Sequence, residues 1–258
     1  MGKVYAIVNQ KGGVAKTTTA VSLASYLAAF RRKTLLIDID PQGNATSGVG
    51  IDKNRVEHSI YEVLIAHKPI ERVLLPTQIR NLDLVPSNIQ LSGAQIELVN
   101  LESRETLLKR ALVNIKEKYE YIIIDCPPSL GLLTINTLTA SDEVLIPMQC
   151  EYYPLEGLGQ LLNTIGLVQR NYNPSLKLAG VLLTMFDTRT NLSHQVAKEI
   201  HEYFGDKVYK TVIPRNVRLA EAPSFGKPIL LYDRHCPGAK AYKRLAREII
   251  AQSKERLV

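Results

Sequence analysis

Two lysines and a pair of glycines near the amino terminus could bind phosphate. Residues 9–20 read NQKGGVAKTTTA. An ordinary P-loop has the spacing G-x-x-x-x-G-K-[ST], which places glycine where this chain has Gln10 and Ala15. Lys16 keeps the end of that pattern, and Lys11 is an additional cation before the glycines. The segment therefore predicts a phosphate-binding loop with a second lysine that the ordinary motif does not use.

Each group in this loop has a chemical role to fill. Gly12 and Gly13 let the backbone approach phosphates, and consecutive N–H groups form an anion-binding nest. Lys16 can neutralise terminal phosphates, and the Thr17 hydroxyl can bind Mg²⁺. The helix predicted to begin near Lys16 directs its free N–H groups and its positive end towards the same oxygens.

Carboxylates follow two further apolar runs. Asp38 and Asp40 lie in the segment DIDPQGN, and Asp125 precedes Cys126 after four apolar residues, as is typical of a Walker B carboxylate. Such a carboxylate either holds magnesium through water or orients an attacking water. Asp38 is explained equally well as a turn former. Open α/β sheets bind ligands at the carboxyl ends of strands, so we expect these carboxylates to meet the glycine loop there.

Short apolar runs alternate with helical patterns along the chain. This alternation predicts an α/β fold with a mainly parallel twisted sheet and helices on both faces. No repeat or linker divides the chain, so we expect a single domain over residues 1–258. The predicted strands are residues 4–8, 34–40, 82–85, 121–125, 143–147, 178–185 and 208–213, and two clear helices are residues 17–30 and 104–118.

Composition narrows the class of protein. The net charge of +7 favours a polyanionic partner, with simple solubility as the alternative. The three cysteines are an odd number, lie far apart and lack metal-binding spacing, which indicates a reducing compartment. No charged-then-apolar signal precedes the first strand, and the apolar runs are shorter than the roughly 18 to 20 residues of a membrane span. We expect a cytoplasmic protein.

The motifs together resemble a known family. The pattern from Lys11 to Thr17, K-G-G-x-x-K-T, is the deviant Walker A motif of the ParA/MinD class of P-loop ATPases. With DIDPQGNATSG, IIIDCPPSLGLLT, PMQCEYYPLEG, TMFDTRTNLSHQV and IPRNVRLAEAPSFGKP, the chain resembles chromosomal ParA proteins of the Soj type. The resemblance runs from residue 3 to about residue 250.

The resemblance implies ATP as substrate and Mg²⁺ as cofactor. Lys11 would cross a dimer interface to the phosphates of the other subunit, and Asp40 would orient the attacking water. The implied catalytic residues are Lys11, Lys16 and Asp40, and the implied metal-site residues are Thr17, Asp40 and Asp125. The implied nucleotide-binding residues are Lys11, Gly12, Gly13, Val14, Ala15, Lys16, Thr17 and Thr18, with Met185, Pro214, Arg215 and Asn216 on the adenine side. Met185 is explained equally well as an ordinary core residue.

The resemblance also implies partners. The ATP-bound homodimer would bind double-stranded DNA of the nucleoid without sequence preference, and a ParB-type centromere-binding protein would stimulate slow hydrolysis and release. The bacterial replication initiator is a further implied partner. Arg189 and Arg218 are the favoured DNA contacts. A second set of candidates, equally explained as a solvated helix face, is Lys240, Lys243, Arg244 and Arg247.

Three alternatives differ in class. A MinD-like membrane ATPase needs a C-terminal amphipathic helix with bulky apolar residues, whereas this tail has few and is better explained by docking on the sheet. The second alternative is a metabolic P-loop enzyme or a nitrogenase-type reductase. The reductase needs paired cysteines for an iron–sulfur cluster, and no such pair follows the required motifs in this sequence. An ATP-gated binding module without hydrolysis stays open because Ala15 stands where the family usually has glycine. We expect Ala15 to leave nucleotide binding intact and to weaken dimer closure or turnover.

Overall fold

The computed structural model describes residues 2–151 and 157–255, with side chains through residue 253. Residues 152–156, part of the motif PMQCEYYPLEG, and residues 256–258, the end of the C-terminal tail, lie outside the described residues. The strands are β1 (Lys3–Ile7), β2 (Thr34–Asp38), β3 (Leu75–Pro76), β4 (Leu82–Val85), β5 (Tyr121–Asp125), β6 (Glu143–Gln149) and β7 (Lys177–Thr184).

These strands form one sheet, and the described residues confirm the predicted α/β fold. The strand order is β3-β4-β2-β5-β1-β6-β7, and all pairs are parallel except β3 with β4. The sequence did not predict β3, which has only two residues and ends on Pro76. An edge strand tolerates this proline because its missing N–H donor is not needed by a second neighbour. Six predicted strands lie within two residues of their observed bounds.

Helices cover both faces of the sheet. They are α1 (Lys16–Ala29), α2 (Asn44–Gly48), α3 (Ile60–Leu64), α4 (Leu91–Leu98), α5 (Leu107–Leu112), α6 (Leu132–Ala140), α7 (Leu158–Asn171), α8 (Asn191–Phe204), α9 (Val217–Glu221), α10 (Ile229–Tyr232) and α11 (Pro237–Glu255). Successive side chains of a strand point to opposite faces. In β1, Val4 and Ala6 join one hydrophobic core while Tyr5 and Ile7 join the other. Burial on both faces explains why this run is apolar without interruption.

The terminal helix α11 packs on the same core as α1. Its side chains Tyr242, Leu245, Ala246 and Ile249 are fully buried, which confirms that its apolar face docks on the body of the protein. Among residues 2–151 and 157–255, no helix combines the length and apolar character that crossing a bilayer requires.

The predicted strand over residues 208–213 is wrong. Val208 forms an isolated bridge with Val181 of β7, and Pro214, just after the segment, forms one with Phe186 beyond the end of β7, so there is no continuous ladder. The backbone N–H groups of Lys210 and Thr211 donate instead to the carboxylate of Glu248 on α11, at 2.8 and 3.0 Å. Because these two N–H groups donate to a helix and not to a neighbouring strand, regular strand pairing of residues 208–213 is interrupted.

The predicted helix over residues 104–118 is also wrong in its extent. It consists of the short helix α5 between two 3₁₀ turns, residues 104–106 and 116–118. Thr106 has φ −114° and ψ 3°, which is not helical, so α5 begins anew at Leu107. The side chain of Asn136 accepts a hydrogen bond from the N–H of Leu108 at 3.1 Å and so fixes this start.

Candidate active site

Three loops meet at the carboxyl ends of β2, β5 and β1, which are neighbours in the sheet. Asp125 at the end of β5 is in register with Asp38 of β2 on one side and Ile7 of β1 on the other. The glycine loop follows β1, and Asp40 lies two residues beyond Asp38. The sheet topology thus places the two acidic segments beside the glycine loop, although they are distant in sequence.

The loop between β1 and α1 presents its backbone to a ligand. Gly13 has φ +78°, and a Cβ atom there or at Gly12 would meet nothing within 4 Å, so the space beside both glycines is open. The amino end of α1 receives no side-chain cap, which leaves its first N–H groups without an intrahelical partner. Such an uncapped helix start beside a glycine loop binds anionic oxygens.

The Lys16 side chain links the start of α1 to Lys11 within this loop. Its Nζ donates a hydrogen bond to the backbone oxygen of Lys11 at 2.8 Å, and the residue is only 7% exposed. Burial lowers the pKa of the ammonium group, whereas the carboxylates of Asp125 and Asp40 raise it. A cation held in this way is strongly attracted to an incoming phosphate because little water competes for it.

Asp125 is buried beside Lys16 in a way that suits a hydrated cation. Neither of its oxygens accepts a hydrogen bond of ordinary geometry from the described residues, although the Thr17 hydroxyl lies near enough to lower its pKa. Burial, followed by the charge of Asp38, raises this pKa well above its ordinary value. A buried carboxylate that accepts no hydrogen bond of ordinary geometry calls for a cation or water.

The residues present fit magnesium. Among the described residues no group of three histidine, cysteine or acidic side chains could form a full metal cage. Mg²⁺ usually keeps several waters and takes only one or two protein ligands beside the substrate phosphates. The Thr17 hydroxyl would bind the metal, and Asp125 would hold its waters. Asp40 was the third predicted metal residue and lies within the same charge cluster.

The two aspartates after β2 have different surroundings. Asp38 accepts hydrogen bonds from the N–H and the hydroxyl of Thr46, both at 2.8 Å, and from the N–H of Asp40 at 3.1 Å. Burial raises the pKa of Asp38 to about 6. Asp38 therefore positions the loop. Asp40 accepts one N–H bond from Gln42 through Oδ1, at 2.9 Å, and among the described residues its Oδ2 accepts none.

A cavity of about 620 Å³ lies above the loop, a volume typical of small-ligand sites. The predicted residues that line it are Gly12, Gly13, Ala15, Lys16, Thr17, Thr18, Asp40, Met185, Pro214, Arg215 and Asn216. Sequence reasoning missed the contributions of Gln42, Asn44, Leu219 and Tyr242. The first two could have been found from their proximity to Asp40. Tyr242 could not have been found from the sequence, because it lies on α11, far along the chain from Asp40 and the glycine loop.

One end of the cavity suits a base. Oδ1 of Asn216 is buried and has no hydrogen-bond partner among the described residues. An amide oxygen so placed can accept a hydrogen bond from an exocyclic amino group, which adenine carries. Met185 lies nearby with φ +52°, and its sulfur receives a contact from the side-chain amide of Gln149 at 3.2 Å.

Two predicted nucleotide-binding residues do not line the cavity with their side chains. Val14 is buried at 2% exposure, and its backbone oxygen accepts a hydrogen bond from the Thr184 hydroxyl at 3.2 Å. Lys11 is exposed and borders a different depression, together with Gln10, Pro128 and Gln160. The Lys11 side chain therefore lies outside the cavity of its own chain.

Comparison with known proteins identifies the family. A sequence model described as an AAA domain matches residues 2–178. Over 251 residues the chain is 61% identical to the sporulation initiation inhibitor protein Soj of Bacillus subtilis (strain 168), covering 97% of this chain and 99% of that protein. The chain belongs to the Soj/ParA family of chromosome-partitioning ATPases.

Other relatives agree with this family and with the fold. The chain is 55% identical over 250 residues to the chromosome partitioning protein ParA of Myxococcus xanthus (strain DK1622), covering 97% of this chain and 88% of that protein. Its fold is similar to that of a cobyrinic acid a,c-diamide synthase from Mycobacterium smegmatis, solved with ADP and magnesium. The TM-score is 0.87 at 39% identity, with 98% of this chain and 96% of that chain covered.

The basic residues predicted to contact DNA fall into two groups in this Soj/ParA chain. Lys240, Lys243, Arg244 and Arg247 are exposed on one side of α11, and none forms an ion pair with a described residue. Arg189 and Arg218 are exposed but paired with acidic side chains. Arg218 lies close to the cavity, because its neighbours Val217 and Leu219 line it.

Ala15 adopts a conformation that the sequence did not suggest. It has φ +66° and ψ +31°, so it lies in the left-handed region and not in the helical region that would make alanine harmless. An L-residue pays about 1 to 2 kcal/mol for this conformation. Ala15 also lines the cavity above the loop.

We therefore expect Ala15→Gly to raise the free energy of unfolding by up to about 1 kcal/mol, since relief of strain exceeds the entropy that glycine adds to the unfolded chain. ATP turnover and dimerisation should rise as well. Thermal unfolding, phosphate release and the mass in solution measure these three effects. The matched control Ala24→Gly, inside α1, should instead destabilise by about 1 kcal/mol. Equal turnover and dimerisation in Ala15→Gly and the unaltered chain would rule out the effect on closure.

Proposed function

We propose that this chain is an ATP-dependent switch in bacterial chromosome partitioning. As a Soj/ParA family member it is an ATPase that uses ATP and Mg²⁺. In the proposed cycle two ATP-bound chains form a dimer that binds duplex DNA without sequence preference. Hydrolysis, stimulated by a ParB-type protein, opens the dimer and releases the DNA. The same switch would act on the replication initiator.

The observation that carries this proposal is that the two lysines of the loop lie in different places. Lys16 is buried inside the cavity of its own chain, whereas Lys11 is exposed outside it. A cation supplied to a phosphoryl group from another subunit changes rates by about 10³ to 10⁵. If a second copy of the chain faces the cavity, Lys11 of each copy reaches the phosphates bound by the other. Bound ATP then links the two subunits.

The hydrolytic step follows from the groups around the cavity. Lys16 and the loop N–H groups hold the terminal phosphate, and Asp40 can accept a hydrogen bond from the attacking water through its available Oδ2. When bound, Mg²⁺ neutralises charge that develops on the phosphate oxygens. Because the carboxylate of Asp40 accepts only one hydrogen bond from the described residues, small movements of its side chain would change catalysis. This arrangement supports slow turnover that a partner accelerates.

DNA binding is proposed from the charge distribution. Phosphate contacts give sequence-independent affinity, and the net charge of +7 favours them. The four exposed cations of α11 form one basic face, and Arg189 and Arg218 supply further positive groups. The burial of the apolar side of α11 leaves this helix with its charged side outward.

Asp40→Asn tests the switch. We expect ATP hydrolysis to fall by about 100-fold or more because the amide no longer accepts a proton from water. ATP binding should be unchanged, since the amide oxygen can still accept the N–H bond from Gln42. With ATP the variant should therefore remain a DNA-bound dimer longer than the unaltered chain. Mass in solution and fluorescence anisotropy of duplex DNA, each with ATP, with ADP and without nucleotide, measure this.

The exposed acid Asp52 provides the control, because Asp52→Asn makes the same chemical change outside the cavity. It should hydrolyse ATP at the normal rate. Equal DNA binding in all three nucleotide conditions, or a monomer with ATP, would contradict the proposed switch.

A further inference from the structure

Arg189 is held by a neighbouring carboxylate. Its Nε and Nη2 donate to the two oxygens of Asp187 at 2.9 and 2.6 Å, and its backbone N–H donates to Oδ1 at 3.0 Å. The arginine side chain is 84% exposed, whereas that of Asp187 is 17% exposed. The guanidinium lowers the pKa of Asp187, so the carboxylate is fully charged at neutral pH. The Nε–Nη2 edge of Arg189, one of the two guanidinium edges that can bind a phosphate through paired hydrogen bonds, is therefore occupied by Asp187.

Arg218 is held in a similar way. Its Nη1 donates to Oε2 of Glu221 at 2.9 Å, and its Nε lies 3.8 Å from Oδ2 of Asp233. The hydroxyl of Tyr232 also donates to Oε2 of Glu221, at 3.1 Å, and so orients that carboxylate. Two negative groups therefore surround this arginine.

Both ion pairs lie on segments that form the base end of the nucleotide cavity. Arg189 follows Met185 by four residues, and Arg218 lies between Val217 and Leu219; Met185, Val217 and Leu219 all line the cavity. Arg215 lines it as well, and its charge acts on Asp187. The cations of α11, by contrast, have no such carboxylate partners among the described residues.

We propose that Asp187 and Glu221 are affinity-determining residues for polyanions, because their carboxylates compete with nucleic-acid phosphates for Arg189 and Arg218. This inference rests on the proposed function and concerns its regulation. While Arg189 and Arg218 are paired with these carboxylates, they contribute little to phosphate binding. The four exposed cations of α11 then supply a basal DNA affinity that is weaker than the affinity with both arginines released. A nucleotide that shifts the base-end segments shifts these pairs too, so DNA affinity depends on the nucleotide.

Two conservative variants test the inference. Asp187→Asn keeps an oxygen for the N–H of Arg189, and Glu221→Gln keeps one for the Tyr232 hydroxyl, so the local fold should persist. Each should raise the affinity for duplex DNA in the presence of ADP by about two- to fivefold, the range expected for releasing an exposed ion pair. The plot of log affinity against log salt should steepen by about 0.9 for each additional DNA phosphate that the released arginine neutralises.

Matched controls separate this effect from net charge. Asp52→Asn and Glu202→Gln remove one negative charge from other exposed ion pairs, with Arg55 at 3.3 Å and Lys198 at 3.7 Å. Their affinity should rise less, and their salt slope should not change. Adding Arg189→Ala to Asp187→Asn should abolish the whole increase in affinity, which assigns that increase to the released arginine.

The outcomes distinguish the two levels of the proposal. If the unaltered chain binds DNA with ATP but the affinity of the two variants rises no more than that of their controls, competition by carboxylates is overturned while the proposed function stands. If the unaltered chain shows no salt-dependent DNA binding in any nucleotide state, the proposed function itself fails. Fluorescence anisotropy of a labelled random-sequence duplex, titrated at several salt concentrations, gives all of these results.

Discussion

Lys16→Ala is expected to abolish ATP hydrolysis, by at least about 10³-fold, and to weaken ATP binding by about 100-fold. Lys16 is buried, and its Nζ is already fixed to the backbone oxygen of Lys11, so its charge would meet the phosphates of bound ATP with little reorganisation. The carboxylates of Asp125 and Asp40 would then repel the triphosphate without an opposing cation. Isothermal titration calorimetry with ATP and phosphate release measure the two effects.

Lys53→Ala is the matched control for this result. Lys53 also donates from Nζ to a backbone oxygen, that of Gln42, but it does not line the nucleotide cavity. Its removal should leave ATP affinity within a factor of about three, as for other changes away from the key contacts. The thermal unfolding of both variants establishes that they are folded. Normal ATP affinity in folded Lys16→Ala would show that this cavity is not the ATP site.

Lys11→Ala is expected to leave ATP binding intact while abolishing ATP-dependent dimerisation and hydrolysis. The affinity of each chain for ATP should change little because the Lys11 side chain lies outside the cavity of its own chain. The ATP-dependent dimer should be lost, and hydrolysis should fall by about 10³-fold or more, the effect of removing a cation supplied from another subunit. Light scattering with ATP and phosphate release check both expectations.

An exposed lysine elsewhere provides the comparison. Lys198→Ala removes a side chain that is 79% exposed on α8, and it should leave the dimer and the rate intact. A normal ATP-dependent dimer in Lys11→Ala would remove the proposed role of this residue.

Much of the fold was predictable because it depends on local patterns. Unbroken apolar runs such as the one from Val4 to Val8 reflect burial between two helical layers, so six of the seven strands were found. The failure at residues 208–213 has a long-range cause. Glu248, on a helix far along the chain, takes the N–H groups of Lys210 and Thr211, and no local pattern reveals that.

The candidate site was predictable to a similar extent. The strand ends that carry Asp40 and Asp125 follow from the alternation of strands and helices, because parallel strands direct their carboxyl ends to one edge. The left-handed conformation of Ala15 depends on how the whole loop closes between β1 and α1. Pairing of Arg218 with Glu221 was visible from the spacing of three residues, but its approach to Asp233 requires the tertiary fold.

Mixed dimers of Lys11→Ala and Asp40→Asn chains test whether each subunit completes the other's site. If Lys11 acts across the interface, a mixed dimer contains one complete site: Asp40 of the Lys11→Ala chain and Lys11 of the Asp40→Asn chain. Two inactive variants mixed in equal amounts should then recover up to about a quarter of the normal ATPase rate, since half of the dimers are mixed and each has one such site. Isolated mixed dimers that are no more active than the separate variants would show that Lys11 serves its own chain or no site at all.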